Sequence, residues 1–242
     1  MATTSIEWTD KTWNPITGCT KISEGCKHCY ASVMTNRLQG MKKTKYRHGF
    51  KVTLHPDNLL EPTRWEKASM IFVCSMGDLF HKDVSFEFID KVFDVIRQTP
   101  QHTYQILTKR AERMNEYLKE INIPENAWIG VTVENKNTKY RMDYIRDLSA
   151  KVKFISCEPL LEDLGNLNLR GIDWIIVGGE SGVQARPMKA EWAINIKKQA
   201  EANNIPFFFK QWGTWGADGI KRNKKANGKI LNGSIIQEMP IK

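Results

Sequence analysis

Short apolar segments alternate with amphipathic segments through the middle of the chain. Six runs of mostly apolar, β-prone residues have the length and composition of strands that are buried on both faces. They are residues 70–74, 103–107, 128–133, 152–157, 174–177 and 206–209. Because such continuous apolar runs are typical of parallel sheets, we expect these segments to form the core of one sheet.

Apolar residues between these runs recur at the three- and four-residue spacing of helices. The clearest example covers residues 86–96, with Ser85 or Asp83 placed to cap its N-terminus. Helices are also predicted at residues 30–39, 111–121, 140–148 and 192–200. Regular strand–helix alternation implies right-handed βαβ units. The sequence therefore predicts an α/β fold, a full or partial (β/α) barrel with mainly parallel strands.

The chain has 242 residues and no internal repeat or strong linker, so we predict a single domain over residues 1–242. Within it, residues 1–18 would form an N-terminal cover and the first strand. Residues 19–212 would form the barrel core. Residues 213–242 are rich in Gly, Asn and Lys without periodicity, which predicts a loosely ordered basic C-terminal extension.

The chain carries none of the patterns of exported or membrane proteins. No apolar run approaches the roughly 18 residues of a membrane span, and residues 1–10 lack the basic and apolar regions of a signal peptide. We therefore expect a cytoplasmic protein with no membrane association. In that reducing compartment, the five cysteines are expected to be ligands or core residues rather than disulfides.

The net charge of +9 comes from two segments rather than from the whole surface. Residues 37–51 hold six Lys and Arg and no acid, and residues 210–242 hold seven against Asp218 and Glu238. Two interpretations stay open: solvated loop charge, or a polyanion-binding rim that makes nucleic acid a possible partner.

Polar residues follow each predicted strand, where the ligands of parallel sheets bind. They include Ser75, Gly77, Asp78, Thr108, Lys109, Glu134, Glu158, Gly178, Gly179, Glu180, Lys210 and Gln211. This mixture of acids and lysines suits a zwitterionic ligand or one with several parts. Glu158, Lys210, Gln211 and the nearby Arg186 are candidates for substrate binding, although Arg186 and Lys210 would also suit ion pairs with Glu180 or Glu158.

The most specific local feature is a cluster of three cysteines, Cys19, Cys26 and Cys29, in the pattern C-x6-C-x2-C. Three thiolates this close can surround one metal centre. A zinc site normally needs a fourth ligand, and the only neighbour, His28, is adjacent to Cys29. An iron–sulfur cluster held by three cysteines would leave one iron open for another ligand. The sequence predicts a metal site, and zinc and iron both stay open.

A three-cysteine loop at the first strand exit of an α/β barrel resembles the radical S-adenosylmethionine (radical SAM) superfamily. More closely, IEWTDKTWNPITGCTKISEGCKHCYA resembles a phage- and prophage-associated family of radical-SAM-like proteins whose biochemical role is unassigned. The resemblance extends over most of the chain and includes SMGDLFH, ILTKR, WIGVTVEN, SCEPLL and VGGESG. The common superfamily spacing is C-x3-C-x2-C, whereas the first gap here is six.

The resemblance implies roles for individual residues. Cys19, Cys26 and Cys29 would hold a [4Fe–4S] cluster whose fourth iron binds SAM. Further contacts to SAM would come from the strand exits, namely from His28, Ser75, Gly77, Asp78, Thr108, Lys109, Glu134, Gly178, Gly179 and Glu180.

The implied reaction is reductive cleavage of SAM, after which a 5′-deoxyadenosyl radical takes a hydrogen from an unidentified substrate. A flavodoxin or ferredoxin would supply the electron, and nucleic acid or a nucleotide is a candidate substrate. Cys157 is a candidate hydrogen donor, although both Cys157 and Cys74 also suit a buried core. The alternative is a zinc-stabilised nucleic-acid-binding module without catalysis. A third hypothesis is a cluster-bearing structural partner in a phage operon.

Overall fold

The computed structural model describes residues 4–241 and has a mixed α/β fold. Seven strands form one sheet in the order β1-β4-β5-β6-β7-β8-β9. Their bounds are β1 Lys11–Trp13, β4 Met70–Val73, β5 Thr103–Thr108, β6 Ala127–Thr132, β7 Lys153–Cys157, β8 Trp174–Gly178 and β9 Phe207–Gln211. Two antiparallel pairs lie outside this sheet: β2 (Ile16–Thr17) with β3 (Thr53–Leu54), and β10 (Ile230–Leu231) with β11 (Ser234–Ile235).

The strands pair in parallel towards both edges of the sheet. Strand β4 pairs with β1 and β5, and β8 pairs with β7 and β9, all four pairs parallel. The six apolar runs correspond to β4 to β9 within about two residues at each end, and β4, β6 and β8 are buried along their whole length. The predicted α/β fold with mainly parallel strands is therefore confirmed. Closure of the sheet into a full or partial barrel stays a prediction.

The chain divides into two compact units, and each unit is built from three separate segments of the sequence. The first takes in the described residues of Met1–Ile22, Cys29–Ile129 and Leu148–Lys151, and the second those of Ser23–His28, Gly130–Asp147 and Val152–Lys242. Both the cysteine loop and β6 therefore contribute residues to each unit. The prediction of a single domain stays a prediction.

The α-helices lie where the periodicity predicts them, with one exception. Their bounds are α1 Tyr30–Gly40, α2 Phe86–Gln98, α3 Ala111–Leu118, α4 Ala190–Ala202 and the short α5 Lys224–Asn227. In α2, Ile89, Val92, Phe93 and Ile96 are fully buried on one face. Ser85 is the N-cap of α2, and its side chain accepts a hydrogen bond from the Phe88 amide at 3.4 Å.

The exception is the helix predicted at residues 140–148. The structure has a 3₁₀ helix there instead, Lys136–Tyr144, which begins earlier and is capped by a reciprocal hydrogen-bond pair between Asn135 and Thr138. With three residues per turn, Thr138 and Arg141 lie on the same side of this helix, and both are buried. The four-residue apolar spacing was a poor guide because two of the three buried residues of this helix are polar.

The described residues near both chain ends contain regular backbone pairing. Strand β1 lies within residues 1–18, where the sequence predicts a cover and the first strand, and it is one of the two edge strands of the sheet. In place of a loosely ordered C-terminal extension, the chain returns to β9, where the Phe209 amide donates to the Ile236 carbonyl at 2.8 Å and the Glu238 amide donates to Phe207 at 3.1 Å. Buried Trp212 donates to the Ile230 carbonyl at 2.9 Å. Backbone pairing, which composition does not report, orders this segment.

Within residues 4–241, no helix combines the length and the apolar character that crossing a membrane requires.

The pH dependence of stability should depend on His55, next to the β2–β3 pair. Its Nε2 lies 2.8 Å from the Thr17 hydroxyl. Burial, with Lys45 and Arg47 adding to it, lowers the pKa of His55 to about 4 from 6.5. Because only the unfolded chain binds this proton between those values, stability should fall as the pH drops from 6.5 to 4.

We expect His55→Asn to reduce the acid-induced loss in the free energy of unfolding by about 1 to 2 kcal/mol. This figure is reduced because the imidazole ring is partly exposed to solvent. Urea unfolding at both ends of this pH range measures the effect. Identical pH dependence in the wild type and the variant would contradict it.

Candidate functional site

In the first unit, Asp78 is the centre of a hydrogen-bond network at the end of β4. Its Oδ1 accepts from the Thr108 hydroxyl at 2.6 Å, and its Oδ2 accepts from the Lys109 amide at 3.3 Å. The Arg110 guanidinium donates to Oδ2 at 2.9 Å. The structure thus brings together three residues that the sequence predicts for one site, and it adds Arg110. The Asp78 carboxylate already has a full set of donors.

Arg110 connects this network to the first cysteine. Its Nη1 lies 3.3 Å from Cys19 Sγ, and its Nη2 donates to the carbonyl and hydroxyl of Thr20 at 3.0 Å each. Burial alone would lower the pKa of Arg110, but the charges of Asp78 and Cys19 outweigh burial and raise it. A fixed cation therefore lies beside one thiol of the loop. Such a cation stabilises the thiolate that metals bind.

Ser75 and Gly77 position the backbone around the start of the cysteine loop. The Ser75 hydroxyl exchanges hydrogen bonds with the Asn14 side chain, and its carbonyl accepts from the Tyr30 hydroxyl at 2.6 Å. Gly77 forms a backbone bridge with Gly18, the residue before Cys19. These contacts fix the backbone on either side of Cys19.

In the second unit, Glu134 is fully buried and anchors the middle of the cysteine loop. Its carboxylate pairs with Arg141 at 2.7 Å and accepts a hydrogen bond from the Ser23 hydroxyl. A Cβ at Gly25 would lie only 2.9 Å from Glu134 Oε1, so the loop backbone passes close to this carboxylate. The Ser23 hydroxyl also lies 3.6 Å from Cys26 Sγ. Glu134 therefore holds the segment that carries Cys26.

Glu180 anchors the end of the same segment. Its carboxylate accepts from Arg186 Nη2 at 2.7 Å and Nε at 2.9 Å, and it lies 3.3 Å from His28 Nδ1. Arg186 also donates to the Glu24 carbonyl at 3.0 Å. Burial would raise the pKa of Glu180, but the hydrogen bonds and charge of Arg186 hold it below its ordinary value. Three predicted site residues, His28, Glu180 and Arg186, are thus brought together, and Arg186 forms the ion pair that the sequence indicated as its alternative role.

The remaining predicted residues of the second unit cluster around β8 and β9. Glu158 pairs with Lys210 at 2.9 Å, and the Gln211 amide donates to the Ser181 hydroxyl at 3.0 Å. A Cβ at Gly178 would come within 2.7 Å of Glu158 Oε1, and one at Gly179 would overlap the Trp212 carbonyl oxygen. Gly179 is therefore needed for close packing against the backbone, whereas at Gly178 the Glu158 side chain could move aside.

Each predicted acid at a strand exit has a cationic partner. These pairs are Asp78 with Arg110, Glu134 with Arg141, Glu180 with Arg186 and Glu158 with Lys210. Arg110 and Arg141 are absent from the predicted site. The position of Arg110 directly after Thr108 and Lys109 was a usable signal. Arg141 gave none, because its inward direction depends on the 3₁₀ helix.

The five cysteines fall into two environments. None of the five forms a disulfide; Cys19, Cys26 and Cys29 are partly exposed, whereas Cys74 and Cys157 are buried. Burial, together with the nearby charges of Glu158 and Glu134, raises the pKa of the Cys157 thiol. Burial acts on Cys74 in the same direction, so both keep their protons.

Within the described part of the chain, no group of three or more Cys, His, Asp or Glu side chains already surrounds a metal position. The donors of the cysteine loop nevertheless have the chemistry of cluster ligands, because three thiols outside disulfides occur within eleven residues and one lies beside a guanidinium. The donor type of these three residues therefore fits an iron–sulfur cluster.

Gly179→Ala distinguishes a packing role from a ligand-binding role for this glycine. Because the new Cβ would overlap a backbone oxygen, we expect a loss of about 2 to 3 kcal/mol in the free energy of unfolding. Urea denaturation measures it. Gly40→Ala is the control, since no atom lies within 4 Å of that Cβ and stability should change by less than about 1 kcal/mol. Weaker SAM binding by Gly179→Ala at unchanged stability would favour the ligand role instead.

The fold and site define a class: a mixed α/β protein with a parallel sheet and a loop of three cysteines after the first sheet strand. Residues 3–240 match the family described as Protein of unknown function (DUF5131), and the chain belongs to that family. No curated protein and no solved structure matches the chain. The resemblance to radical SAM proteins stays a prediction.

Proposed function

We propose that this protein is a radical SAM enzyme. Cys19, Cys26 and Cys29 would hold three irons of a [4Fe–4S] cluster, and the fourth iron would take the amino and carboxylate groups of SAM. The observation that carries the proposal is the division of the cysteines. The three thiols of one loop are partly exposed, whereas the two thiols of the core are buried.

The neighbours of the loop support cluster binding because they fix its backbone and place a cation beside Cys19. Arg110 supplies a cation 3.3 Å from Cys19 Sγ and is itself held by Asp78. Glu134 holds Ser23, and Glu180 lies beside His28. Three of the acids that the resemblance assigns to SAM binding would therefore act mainly by positioning the loop.

When bound, such a cluster supplies the electron that cleaves SAM to methionine and a 5′-deoxyadenosyl radical, which takes hydrogen from a substrate. The protein's part is to bind, orient and exclude water. Cys157 keeps its proton and so would retain the S–H bond that a hydrogen donor needs. A flavodoxin or ferredoxin would deliver the electron in a cytoplasmic, reducing setting.

Anaerobic reconstitution with iron and sulfide tests the cluster directly. We expect brown protein with about four irons per chain. Colourless protein that retains one zinc per chain after the same treatment would contradict the proposal and favour a zinc-stabilised module instead.

A further inference from the structure

Helix α1 leaves most of its surface exposed. Only Ala31 and Thr35 of its eleven residues are buried. Its exposed apolar side chains are Tyr30, Val33 and Met34, and Met41 follows directly after the helix. Isolated helices of this length are marginal in water, and the buried side of α1 is small. The helix therefore presents a surface of mixed apolar and polar character.

The loop after α1 adds a dense set of cations. The exposed positive side chains are Arg37, Lys42, Lys43, Arg47 and Lys51, and no acid occurs between Arg37 and Lys51. Lys45 does not belong to this set, because its Nζ donates to the Asn14 carbonyl at 2.9 Å and burial lowers its pKa. Aromatic residues Tyr46 and Phe50, both partly exposed, alternate with these cations. We call the exposed residues of α1 and of 41–51 the basic surface.

Lys42 has an unusual backbone conformation within the basic surface. Its φ is +54°, in the left-handed region that favours glycine or asparagine. The Lys42 amide donates to the Gln39 carbonyl at 2.8 Å, so this residue reverses the chain at the end of α1. A lysine here costs conformational energy that an asparagine would reduce, which points to a use for its charge.

The basic surface adjoins the cysteine loop at two places in the first unit. The Cys19 amide donates to the Phe50 carbonyl at 3.2 Å. Cys29 is the N-cap of α1 and directly precedes the exposed Tyr30. A ligand on the basic surface would therefore lie close to Cys19 and Cys29.

The other basic segment is a poorer candidate because three of its cations are held by carboxylates or a carbonyl of the same unit. Lys210 pairs with Glu158, Arg222 pairs with Asp218 at 2.7 Å, and Lys221 donates to the Val183 carbonyl. Such cations are already engaged and offer less to an incoming polyanion. The structure thus separates two segments that the sequence alone treats alike.

We propose that the basic surface binds a single strand of nucleic acid. Clustered cations without acids attract phosphates. The exposed ring of Tyr30 and the partly exposed rings of Tyr46 and Phe50 can stack on unpaired bases. A duplex would hide its base faces from Tyr30. A membrane is a poorer match, because polar Asn36 and Gln39 interrupt the exposed apolar residues of α1.

Fluorescence anisotropy with a labelled oligothymidine tests the proposal on the apo protein without SAM. We expect Lys42→Asn/Lys43→Gln/Arg47→Gln to weaken binding on the order of tenfold or more and to reduce the slope of log affinity against log salt by about 2. The charge-matched control is Lys67→Gln/Lys91→Gln/Lys119→Gln, at exposed positions of the same unit outside the basic surface. Equal loss of affinity in the two triple variants would overturn the proposal.

Tyr30 provides a second test that does not change the charge. Tyr30→Ala should weaken binding on the order of tenfold relative to Tyr30→Phe, which keeps the ring. Equal affinities of these two variants, tighter binding to duplex than to single strand, or preferential binding to phosphatidylserine-containing vesicles would each overturn the proposal. Because the assay needs neither cluster nor SAM, its failure would leave the proposed activity standing.

Discussion

Replacing any one of Cys19, Cys26 and Cys29 by alanine should abolish cluster binding. Each of the three would hold one iron, so a missing thiolate leaves that iron without a protein ligand. After anaerobic reconstitution we expect iron content to fall from about four per chain to near zero. The brown colour and all SAM cleavage should be lost with it. Iron analysis and visible absorption measure this.

Cys74→Ala is the matched control, since this thiol is free but buried. It should keep its iron, at a stability cost of about 1 kcal/mol for the small cavity. Full iron content in any of the three loop variants would contradict the ligand assignment. So would iron loss in Cys74→Ala equal to that in the loop variants, provided that the control remains folded.

Arg141→Met should lower the free energy of unfolding by about 3 to 5 kcal/mol. It would leave the fully buried Glu134 carboxylate without its 2.7 Å partner. The double variant Glu134→Met/Arg141→Met removes both charges and should recover much of that loss. Urea denaturation of the two variants and the wild type measures this loss of stability and its recovery in the double variant.

The exposed pair of Asp94 and Arg97 offers a control with similar geometry, at 2.9 Å. Arg97→Met should cost less than about 1 kcal/mol, because both partners stay in water. If Arg141→Met is as mild as Arg97→Met, Glu134 is not the anchor of the cysteine loop that we infer.

The sheet strands could be predicted because a strand that is buried on both faces appears in the sequence as a continuous run of apolar residues. The runs at residues 70–74 and 174–177 correspond to β4 and β8 because neither strand has a solvated face. Helix α2 was equally readable from its one-sided pattern and its Ser85 cap. Apolar periodicity reports burial, and these elements are defined by burial.

Ion pairs and side-chain hydrogen bonds produce no comparable pattern in the sequence, and several features of the site were therefore missed. The sequence does not reveal that Arg141 lies beside Glu134, because Arg141 is buried on one side of a 3₁₀ helix that the apolar spacing does not predict. Likewise, Lys45 looks like its basic neighbours in sequence, yet its side chain donates to the Asn14 carbonyl. The three loop cysteines were recognisable from spacing alone, and Arg110 and Arg186 could be read from their places near strand ends, whereas Arg141 required coordinates.

The central claim, that the cysteine loop supports SAM chemistry, is tested most directly by the release of 5′-deoxyadenosine. Anaerobically reconstituted protein is mixed with SAM and dithionite, and the product is quantified by chromatography. The account predicts 5′-deoxyadenosine that depends on both reductant and iron and that is absent from the three cysteine variants. A fully iron-loaded, reduced protein that releases no 5′-deoxyadenosine above the level of the Cys26→Ala variant would contradict it.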